Sequence, residues 1–508
     1  MVNPRLSERF FAVITLRHSK MALSGTGRAK AVANCVIVSG ALVCIGTLCF
    51  FVYHYTWIRD RSFASPAAVW MNYIFPAVLA GLLLLCLRLQ PSMRIRLALT
   101  LVFLAFAVFS VETFMTLTAD WSNSPARFEY TLMDERRKLA QKFGVEFDSR
   151  TRREVVADLR KNGIEAYPPT PFTAVNINGR AVLPLGGIGN KVVVLCNEGG
   201  DYIRYRADER GFHNSTGFWS TDRIDIAVLG DSFAEGFCVP SEKNFVALIR
   251  EQYSGTLNLG KYGDGPLLEL AKLKEYLPPR KPKVVLWFYS EKNDLYDLGG
   301  EKKDPLLTRY LALGFTQGLV NLQPDIDRAL IAHVEAGGST ENPKSIFEWL
   351  VETAADKNWL WAKADGIFRL GHLRQQLGLI YGETRLDNET QSTVSRADQT
   401  VIDLFAQILS QANESVRLLG GKLYFVYLPQ WERYGKPERV NPDRDRVLML
   451  VRQLHIPLID IDPAFRETGD PLGLFPFRGP GHYNAEGHRL VAREVLRHVA
   501  STKKLSQN

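Results

Sequence analysis

The 508-residue sequence has few cysteines and no cluster of cysteine and histidine ligands. None of its six cysteines forms a Cys-x-x-Cys pair or a zinc-type array. Two of them, Cys196 and Cys238, could pair in an oxidising compartment. The other four lie in apolar segments, where a small thiol packs without special chemistry: Cys35, Cys44, Cys49 and Cys86. We therefore expect no metal and no other cofactor.

A basic run interleaved with aromatic residues is also missing. The formal net charge is +8, but residues 1–30 hold six basic residues and one acidic residue, so this tail alone supplies +5. The rest of the chain is only slightly basic. This distribution argues against nucleic acid as a partner, and the tail is more typical of a cytoplasmic topology signal.

Three apolar stretches are long enough to cross a bilayer, which takes about 20 residues. They cover residues 31–53, 67–87 and 97–117. The first is too long for a signal peptide, and no small-residue cleavage site follows it. The tail and the loop at 88–96 are the most basic flanks, so both are expected in the cytoplasm. Three spans then place residues 119–508 across the membrane. Glu112, inside the third span, is interpreted as a carboxylate near the interface.

The soluble part changes character along its length. Residues 119–170 are charged and helical in pattern, and we interpret them as a juxtamembrane arm. A proline-rich linker at 167–172 follows. From about residue 190, short apolar runs alternate with helical stretches, which is typical of a parallel sheet covered on both faces. The predicted strands are 224–229, 257–259, 284–289, 423–428 and 457–460, and the predicted helices are 242–253, 266–276, 396–418, 441–453 and 485–500.

These elements predict a three-layer α/β fold for residues 171–508, preceded by three transmembrane helices at 31–118. A mostly helical insertion at 299–395 interrupts the alternation. It contains Trp349, Trp359 and Trp361, which are more typical of a small core of its own than of a sugar-binding or acyl-binding surface. We expect the insertion to govern the choice of substrate, because recognition commonly lies on segments added to a rigid scaffold.

A serine follows the first predicted strand of this domain. Residues 228–236 read Val-Leu-Gly-Asp-Ser-Phe-Ala-Glu-Gly, which places Ser232 in a turn at the strand's carboxyl end. Side chains at that edge of a parallel sheet face the crevice in which ligands bind. A serine hydroxyl is a poor nucleophile until a base accepts its proton, so a histidine must come from elsewhere in the chain.

Three further blocks follow in order, and the four together resemble those of the SGNH, or GDSL, hydrolase superfamily. Gly-Asp-Ser-Phe at 230–233 is similar to the first block, and Asn-Leu-Gly-Lys-Tyr-Gly-Asp-Gly at 258–265 to the second, with Gly263 at its functional glycine. Ser-Glu-Lys-Asn-Asp-Leu at 290–295 is similar to the third, with Asn293 at its asparagine. Gly-His-Tyr-Asn-Ala-Glu-Gly-His-Arg-Leu-Val-Ala at 481–492 is similar to the last, with His482 at its histidine. The resemblance covers roughly residues 190–500 apart from the insertion, and it implies a flavodoxin-like SGNH-hydrolase domain.

The resemblance also implies a role for each residue. Ser232 attacks an ester carbonyl, and His482 accepts its proton and later gives it to the leaving alcohol. The oxyanion accepts hydrogen bonds from the backbone N–H groups of Ser232 and Gly263 and from the side-chain amide of Asn293.

Two positions depart from the family pattern. Glu291 replaces the usual glycine of the third block, which we expect to alter the rim of the site. The aspartate that usually precedes the histidine is missing, because Gly479 and Pro480 stand at those positions.

Two arrangements can hold His482 without that aspartate. In the first, a carboxylate comes from elsewhere in the chain, and the nearest in sequence are Asp460, Asp462 and Asp470. Alternatively, a backbone carbonyl of the bend at 478–481 orients the imidazole. We favour the second arrangement, a Ser232–His482 dyad supported by backbone.

The favoured function is that of an esterase outside a bacterial inner membrane, with the lipid bilayer and an acylated glycan or small ester as partners. The first alternative is an O-acyltransferase of the same fold, which would need a membrane acyltransferase partner to supply the acyl group. The second is a non-catalytic glycan-binding or assembly protein. The missing aspartate favours this last alternative, while the intact serine, glycine, asparagine and histidine oppose it.

Overall fold

The computed structural model describes residues 27–49, 52, 70–122, 125–170, 172–220, 224–338, 396–437 and 441–505, with 363, 366–367, 370–371 and 373 between them. The chain divides into two compact units. The first comprises residues 1–124 and 343–387, and the second comprises residues 125–342 and 388–508. The basic tail up to residue 26 and the three insertion tryptophans lie outside the described residues.

Three apolar helices make up most of the described part of the first unit: α1 (Gly27–Cys49), α2 (Phe75–Cys86) and α3 (Pro91–Ser122). A π-helical turn, Trp70–Ile74, precedes α2. By length and composition, α1 and the Pro91–Leu117 part of α3 can each cross a membrane, and both have a mean hydropathy of 2.2. Helix α2 has only 12 residues. Two of the three predicted spans thus correspond to described helices that are long and apolar enough to cross a membrane, and the middle one stays a prediction.

The helices of the first unit contact one another and part of the insertion. Ile37 of α1 packs in one apolar cluster with Leu83 of α2. The carboxylate of Glu112 on α3 is buried, and its Oε2 accepts the backbone N–H of Leu373 at 2.8 Å. Glu112 therefore has a partner from the insertion, which its interpretation as an interfacial carboxylate did not include.

The second unit contains a five-stranded parallel sheet. Its strands are β6 (Ile226–Leu229), β7 (Thr256–Asn258), β8 (Val284–Ser290), β9 (Lys422–Leu428) and β10 (Leu458–Asp460). The order across the sheet is β10-β9-β8-β6-β7, and every pairing is parallel. This is the flavodoxin-like order, whose topological switch point lies between the first and third strands. The ligand crevice is therefore expected where β6 and β8 end.

Helices cover both faces of this sheet. They are α6 (Ser232–Glu235), α7 (Phe245–Gln252), α8 (Pro266–Tyr276), α9 (Asp294–Glu301), α10 (Gln323–His333), α11 (Gln399–Leu418), α12 (Glu432–Gly435), α13 (Arg444–Gln453), α14 (Asp462–Glu467) and α15 (Ala485–Leu505). Side chains of α8, α10, α11 and α13 share one apolar core with the sheet, and those of α7, α14 and α15 share the other. Alternate residues of β6 enter the two cores, so the predicted three-layer α/β fold is confirmed.

The predicted arm packs as part of the second unit. It contains helices α4 (Pro125–Lys142) and α5 (Arg152–Lys161), and the latter begins with a capping box formed by Thr151 and Glu154. Strands β1 (Ala166–Tyr167), β4 (Val192–Val194) and β5 (Arg204–Arg206) form a small sheet, and β2 (Val175–Ile177) pairs with β3 (Arg180–Val182).

The predicted insertion at 299–395 is divided between the two units. Its first part, which includes α10, belongs to the second unit, and Tyr310, Leu319 and Leu330 are buried in the core on one face of the sheet. Residues 343–387 belong to the first unit. Only part of this segment is therefore separate from the α/β domain.

Candidate active site

Ser232 lies where β6 ends, between β8 and the edge strand β7 in the order of the sheet. Gly230 has a φ of +150°, and a Cβ there would come within 2.8 Å of the Ala234 Cβ. Asp231 then caps α6, because its Oδ1 accepts the N–H of Phe233 at 2.9 Å. The glycine permits the sharp turn and the aspartate starts the helix, so Ser232 is placed at the carboxyl edge of the sheet.

The Ser232 hydroxyl contacts His482, as the family resemblance implied. Ser232 Oγ lies 2.9 Å from His482 Nε2, and His482 Nδ1 lies 2.9 Å from Glu198 Oε1. The backbone N–H of His482 also donates to Glu198 Oε2 at 2.8 Å. Because a carboxylate only accepts, Nδ1 carries the imidazole proton and Nε2 is free to accept the serine proton.

Glu198 therefore takes the place of the missing aspartate, and the favoured dyad supported by a backbone carbonyl is wrong. The carbonyl of Arg478, in the bend that was expected to orient the ring, accepts the Trp431 indole N–H at 3.0 Å. None of the three suggested aspartates takes this role. Each has a different partner: Asp460 pairs with Arg444, Asp462 accepts from Tyr434 and Arg466, and Asp470 pairs with Arg478.

The carboxylate of Glu198 is buried but charged. Burial by itself raises the pKa of a carboxyl group. The positive charge of Arg136 and the charge and hydrogen bonds of His482 outweigh burial and hold the pKa of Glu198 well below its usual range. Glu198 is thus negatively charged while the His482 imidazole is neutral and its Nε2 can accept the serine proton.

The second block is fastened to the serine turn. Asn258 Nδ2 donates to the Ala234 carbonyl at 2.8 Å, and Glu235 Oε2 accepts the N–H of Tyr262 at 2.6 Å. Gly263 has a φ of +81°, which side chains rarely adopt, and a Cβ there would come within 3.1 Å of Phe172. The block that carries Gly263 is therefore held against α6 by side chains on both segments.

Asn293 lies at the end of β8, the neighbour of β6 at the switch point. Its Oδ1 accepts the Ser290 hydroxyl at 2.6 Å, and its Nδ2 donates to Asp297 Oδ2 at 2.6 Å. These two contacts fix the plane of the amide. Burial raises the pKa of Asp297 to about 7.

Glu291 lies away from the rim that it was expected to alter. Its side chain is fully buried in an ion pair with Arg433, and it also accepts the N–H of Gln430 at 3.0 Å. The residue that replaces the family's glycine thus fastens the segment after β9 to the third block.

A disulfide joins the two segments that carry Glu198 and Ser232. Cys196 and Cys238 are bonded, with their Cα atoms 5.4 Å apart. Among the described residues, ligand atoms of Glu198, Cys238 and His482 lie within 4.8 Å of one another. The Cys238 sulfur is consumed by the disulfide and is not a thiolate, so these three groups do not make a metal site.

Sequence reasoning missed Glu198. It lies in the loop after β4, in the stretch Cys196-Asn-Glu-Gly-Gly200, and is separated from His482 by 284 positions. The only local signals were glycines: Gly199 and Gly200, which follow Glu198 in its loop, and Gly481, which leaves room for its carboxylate. His488 is buried, and its Nδ1 accepts the N–H of Phe245 at 3.2 Å.

No family model matches the sequence, and no curated protein matches it. Solved structures do match. One is assigned to the G-D-S-L lipolytic family from Desulfitobacterium hafniense, with 11% identity over 54% of this chain and 99% of that chain and a TM-score of 0.29. A lipase/acylhydrolase from Enterococcus faecalis is 11% identical over 55% and 97%, with a TM-score of 0.30. An acetyl-xylooligosaccharide esterase from Geobacillus stearothermophilus is 14% identical over 55% and 95%, with a TM-score of 0.28. Because these values are low, the functional assignment depends on this chain's own four blocks and site geometry.

Proposed function

We propose that this chain is a serine esterase of the SGNH type, anchored in a bacterial inner membrane. The observation that carries the proposal is the unbroken chain of hydrogen bonds from Ser232 through His482 to Glu198. A nucleophile, a base and an orienting carboxylate at these distances are what acyl transfer to serine requires.

The reaction follows from this geometry. Ser232 Oγ attacks the ester carbonyl carbon while its proton passes to His482 Nε2, and Glu198 stabilises the imidazolium that forms. The backbone N–H groups of Ser232 and Gly263 and the amide of Asn293 donate to the oxyanion. The tetrahedral intermediate then collapses, and the leaving alcohol takes the proton from Nε2. Water repeats these steps on the acyl-serine and releases the acid.

An O-acylated surface glycan is the proposed substrate. Two exposed aromatic side chains support it: Tyr262, which precedes Gly263 and is 51% exposed, and Tyr296, three residues after Asn293 and 75% exposed. Tyr262 is backed by Phe237, with ring centroids 4.9 Å apart. Exposed tyrosine rings beside a reaction centre are suited to pack against the apolar face of a sugar.

A location outside the cytoplasm is part of the proposal. The disulfide between Cys196 and Cys238 supports it, because such bonds persist in oxidising compartments. Helices α2 and α3 are joined by a short turn and follow α1, which fits three passes with residues 119–508 outside. Protease added to intact spheroplasts is expected to digest this part and to spare the tail. Full protection of the C-terminal part would contradict this topology.

The contact between Glu198 and His482 affects the non-catalytic and the acyltransferase alternatives differently. The non-catalytic alternative depended on a missing carboxylate, and this support is gone. Transfer to a sugar hydroxyl uses the same acyl-serine and differs only in the acceptor, so an acyltransferase working with a membrane acyl-donor partner is the second candidate. Adding an unacylated glycan during ester turnover distinguishes the two, because transfer yields an acylated glycan and hydrolysis yields only free acid.

The test of the proposal uses the full chain in detergent with a p-nitrophenyl acetate substrate and a fluorophosphonate label. The S232A variant is expected to lose turnover and labelling. The matched control is S254A, since Ser254 is an exposed serine in the turn before β7. If folded S232A turns over the ester like the S254A control, Ser232 is not the nucleophile.

A further inference from the structure

Arg136, on the arm helix α4, contacts the same carboxylate oxygen as the catalytic histidine. Its Nη2 forms a close ion pair with Glu198 Oε1, and its Nη1 lies 3.4 Å from the carbonyl of Asn197. The Arg136 side chain is only 11% exposed and that of Glu198 only 3%. A buried guanidinium therefore lies directly behind the Glu198–His482 pair.

The end of the arm helix and the residues after it pack over both loops of this pair. On the histidine side, the Phe143 ring lies 6.0 Å from that of Phe477. On the glutamate side, the N–H of Asp148 donates to the carbonyl of Gly200 at 2.8 Å, and Asn197 Nδ2 donates to the carbonyl of Asp148 at 3.0 Å. The segment that follows Arg136 is thus held to both loops by contacts that do not involve the Glu198 side chain.

We infer that Arg136 is a positioning residue for Glu198, which makes the arm next to the predicted membrane span part of the catalytic unit. The inference rests on the proposed esterase function. Arg136 fixes the carboxylate in the orientation that meets His482, and its charge keeps the Glu198–His482 pair free of an added proton, so that Nε2 can act as a base.

The physical reason is the cost of a buried charge. Without a cation, the buried Glu198 would bind a proton readily, since burial disfavours its ionised form. The fixed positive charge of Arg136 beside Glu198 makes an added proton on this carboxylate unfavourable. Among the described residues, Asp231 and His488 also interact with His482. Asp231 attracts a proton towards it, and His488 is neutral because burial lowers its pKa to about 3. The Cys238 sulfur does not titrate, since it is in the disulfide.

The test compares the acid limb of the pH profile of kcat/KM, which reports the catalytic base of the free enzyme. In the full chain, R136Q is expected to move this limb to higher pH by about one unit or more, the usual effect of one charge at this range. The kcat value is expected to fall by up to about a hundredfold, as for a misplaced catalytic group. R136K keeps the charge and is expected to restore the acid limb. The matched control is R137Q, because Arg137 is the next residue on the helix and pairs with Asp134 on the surface.

Each outcome decides a separate point. An R136Q limb that coincides with that of R137Q overturns the inference. If R136Q does not fold, the test uses R136K. An acid limb of R136K that differs from that of the wild type would overturn the inference. Arg136 acts through Glu198, so R136Q is expected to add little to E198Q, and additive losses would also overturn the inference. Turnover that survives in S232A would instead refute the proposed function.

Discussion

Gly481 lies directly against the carboxylate of Glu198, and a Cβ on residue 481 would come within 2.6 Å of Glu198 Oε2. The residue before the histidine is thus a glycine because the carboxylate occupies the space of a side chain. We predict that G481A pushes Glu198 away from His482 and lowers kcat by about a hundredfold, the loss expected for a displacement of about 1 Å. Ester turnover of the full chain measures this.

The matched control is G199A. Gly199 lies in the same loop as Glu198, but a Cβ there meets nothing within 4 Å. It is expected to behave like the wild type. Equal turnover in G481A and G199A would show that the close approach of residue 481 to Glu198 has no role in catalysis.

The second prediction concerns Glu198 itself. In E198Q the amide can present an N–H to His482 Nδ1, which favours the wrong imidazole tautomer. The serine-protease precedent for such a change is a loss of about 10⁴ in kcat. We expect a loss of that order, measured as ester turnover with the melting temperature as the check on folding. The control is D470N, because Asp470 is an exposed carboxylate paired with Arg478. A loss of less than about tenfold would show that Glu198 does not act with His482 and that the site is a Ser232–His482 dyad.

The sheet was predictable because each of its strands has a recognisable pattern in its own stretch of sequence. Each parallel strand is buried on both faces and therefore appears as a continuous apolar run bounded by polar turns. The structure places β8 at Val284–Ser290 and α8 at Pro266–Tyr276, within one residue of the predicted bounds. Once five strands alternate with helices, the right-handed crossover rule leaves few arrangements.

The orienting carboxylate was not predictable by the same means. Glu198 lies in a loop, where no periodicity marks a residue, and its contact with His482 depends on the small sheet of β1, β4 and β5 being placed beside the large one. The pattern at 479–481 indicated that a nearby aspartate was absent. It carried no information on which distant residue replaces it, because that choice depends on tertiary packing.

The third prediction concerns the disulfide between Cys196 and Cys238. It closes a loop over a separation of 42 residues, between the segments of Glu198 and Ser232. A loop of this length corresponds to about 4 kcal/mol in the chain-entropy model. We expect the C196S/C238S double variant to melt at lower temperature and to lose turnover more than the C44S control. Unchanged turnover and stability would show that the pair has no structural role.

The fourth prediction is a decrease in stability between pH 6.5 and 8. Burial raises the pKa of Asp264 and Asp297 to about 7 and of Glu301 to about 8. In this window the folded protein holds protons that the unfolded chain has lost, so unfolding becomes easier as the pH rises. The slope is about 1.4 kcal/mol per pH unit for each such proton.

The measurement is the melting temperature of the full chain across this window. His213 and His488 do not reverse the sign there, since burial lowers their pKa to about 4 and about 3, and both are neutral when folded. Burial lowers the pKa of Lys261 to about 8, so this lysine opposes the decrease only at the upper end of the window. The E301Q variant is expected to show a shallower decrease than the wild type. Stability that is constant or rises with pH would contradict the assignment of these three groups.

The last prediction concerns the exposed rings of Tyr262 and Tyr296. If they pack against sugar rings, Y262A and Y296A should raise KM for an O-acetylated glycan by about threefold to tenfold, the value of one aromatic contact of about 0.5–1.5 kcal/mol. The kcat/KM for p-nitrophenyl acetate should stay at the wild-type value in Y296A, because a small ester does not reach the ring of Tyr296. Tyr262 also stacks on Phe237, whose ring lies 5.0 Å from that of His482. The loss of Y262A on the glycan is therefore compared with its loss on the small ester. The control is M449A, since Met449 is an exposed apolar side chain on α13, outside the four blocks. Equal effects of Y296A on the glycan and on the small ester would refute a sugar-binding role for this rim and leave a small ester as the substrate.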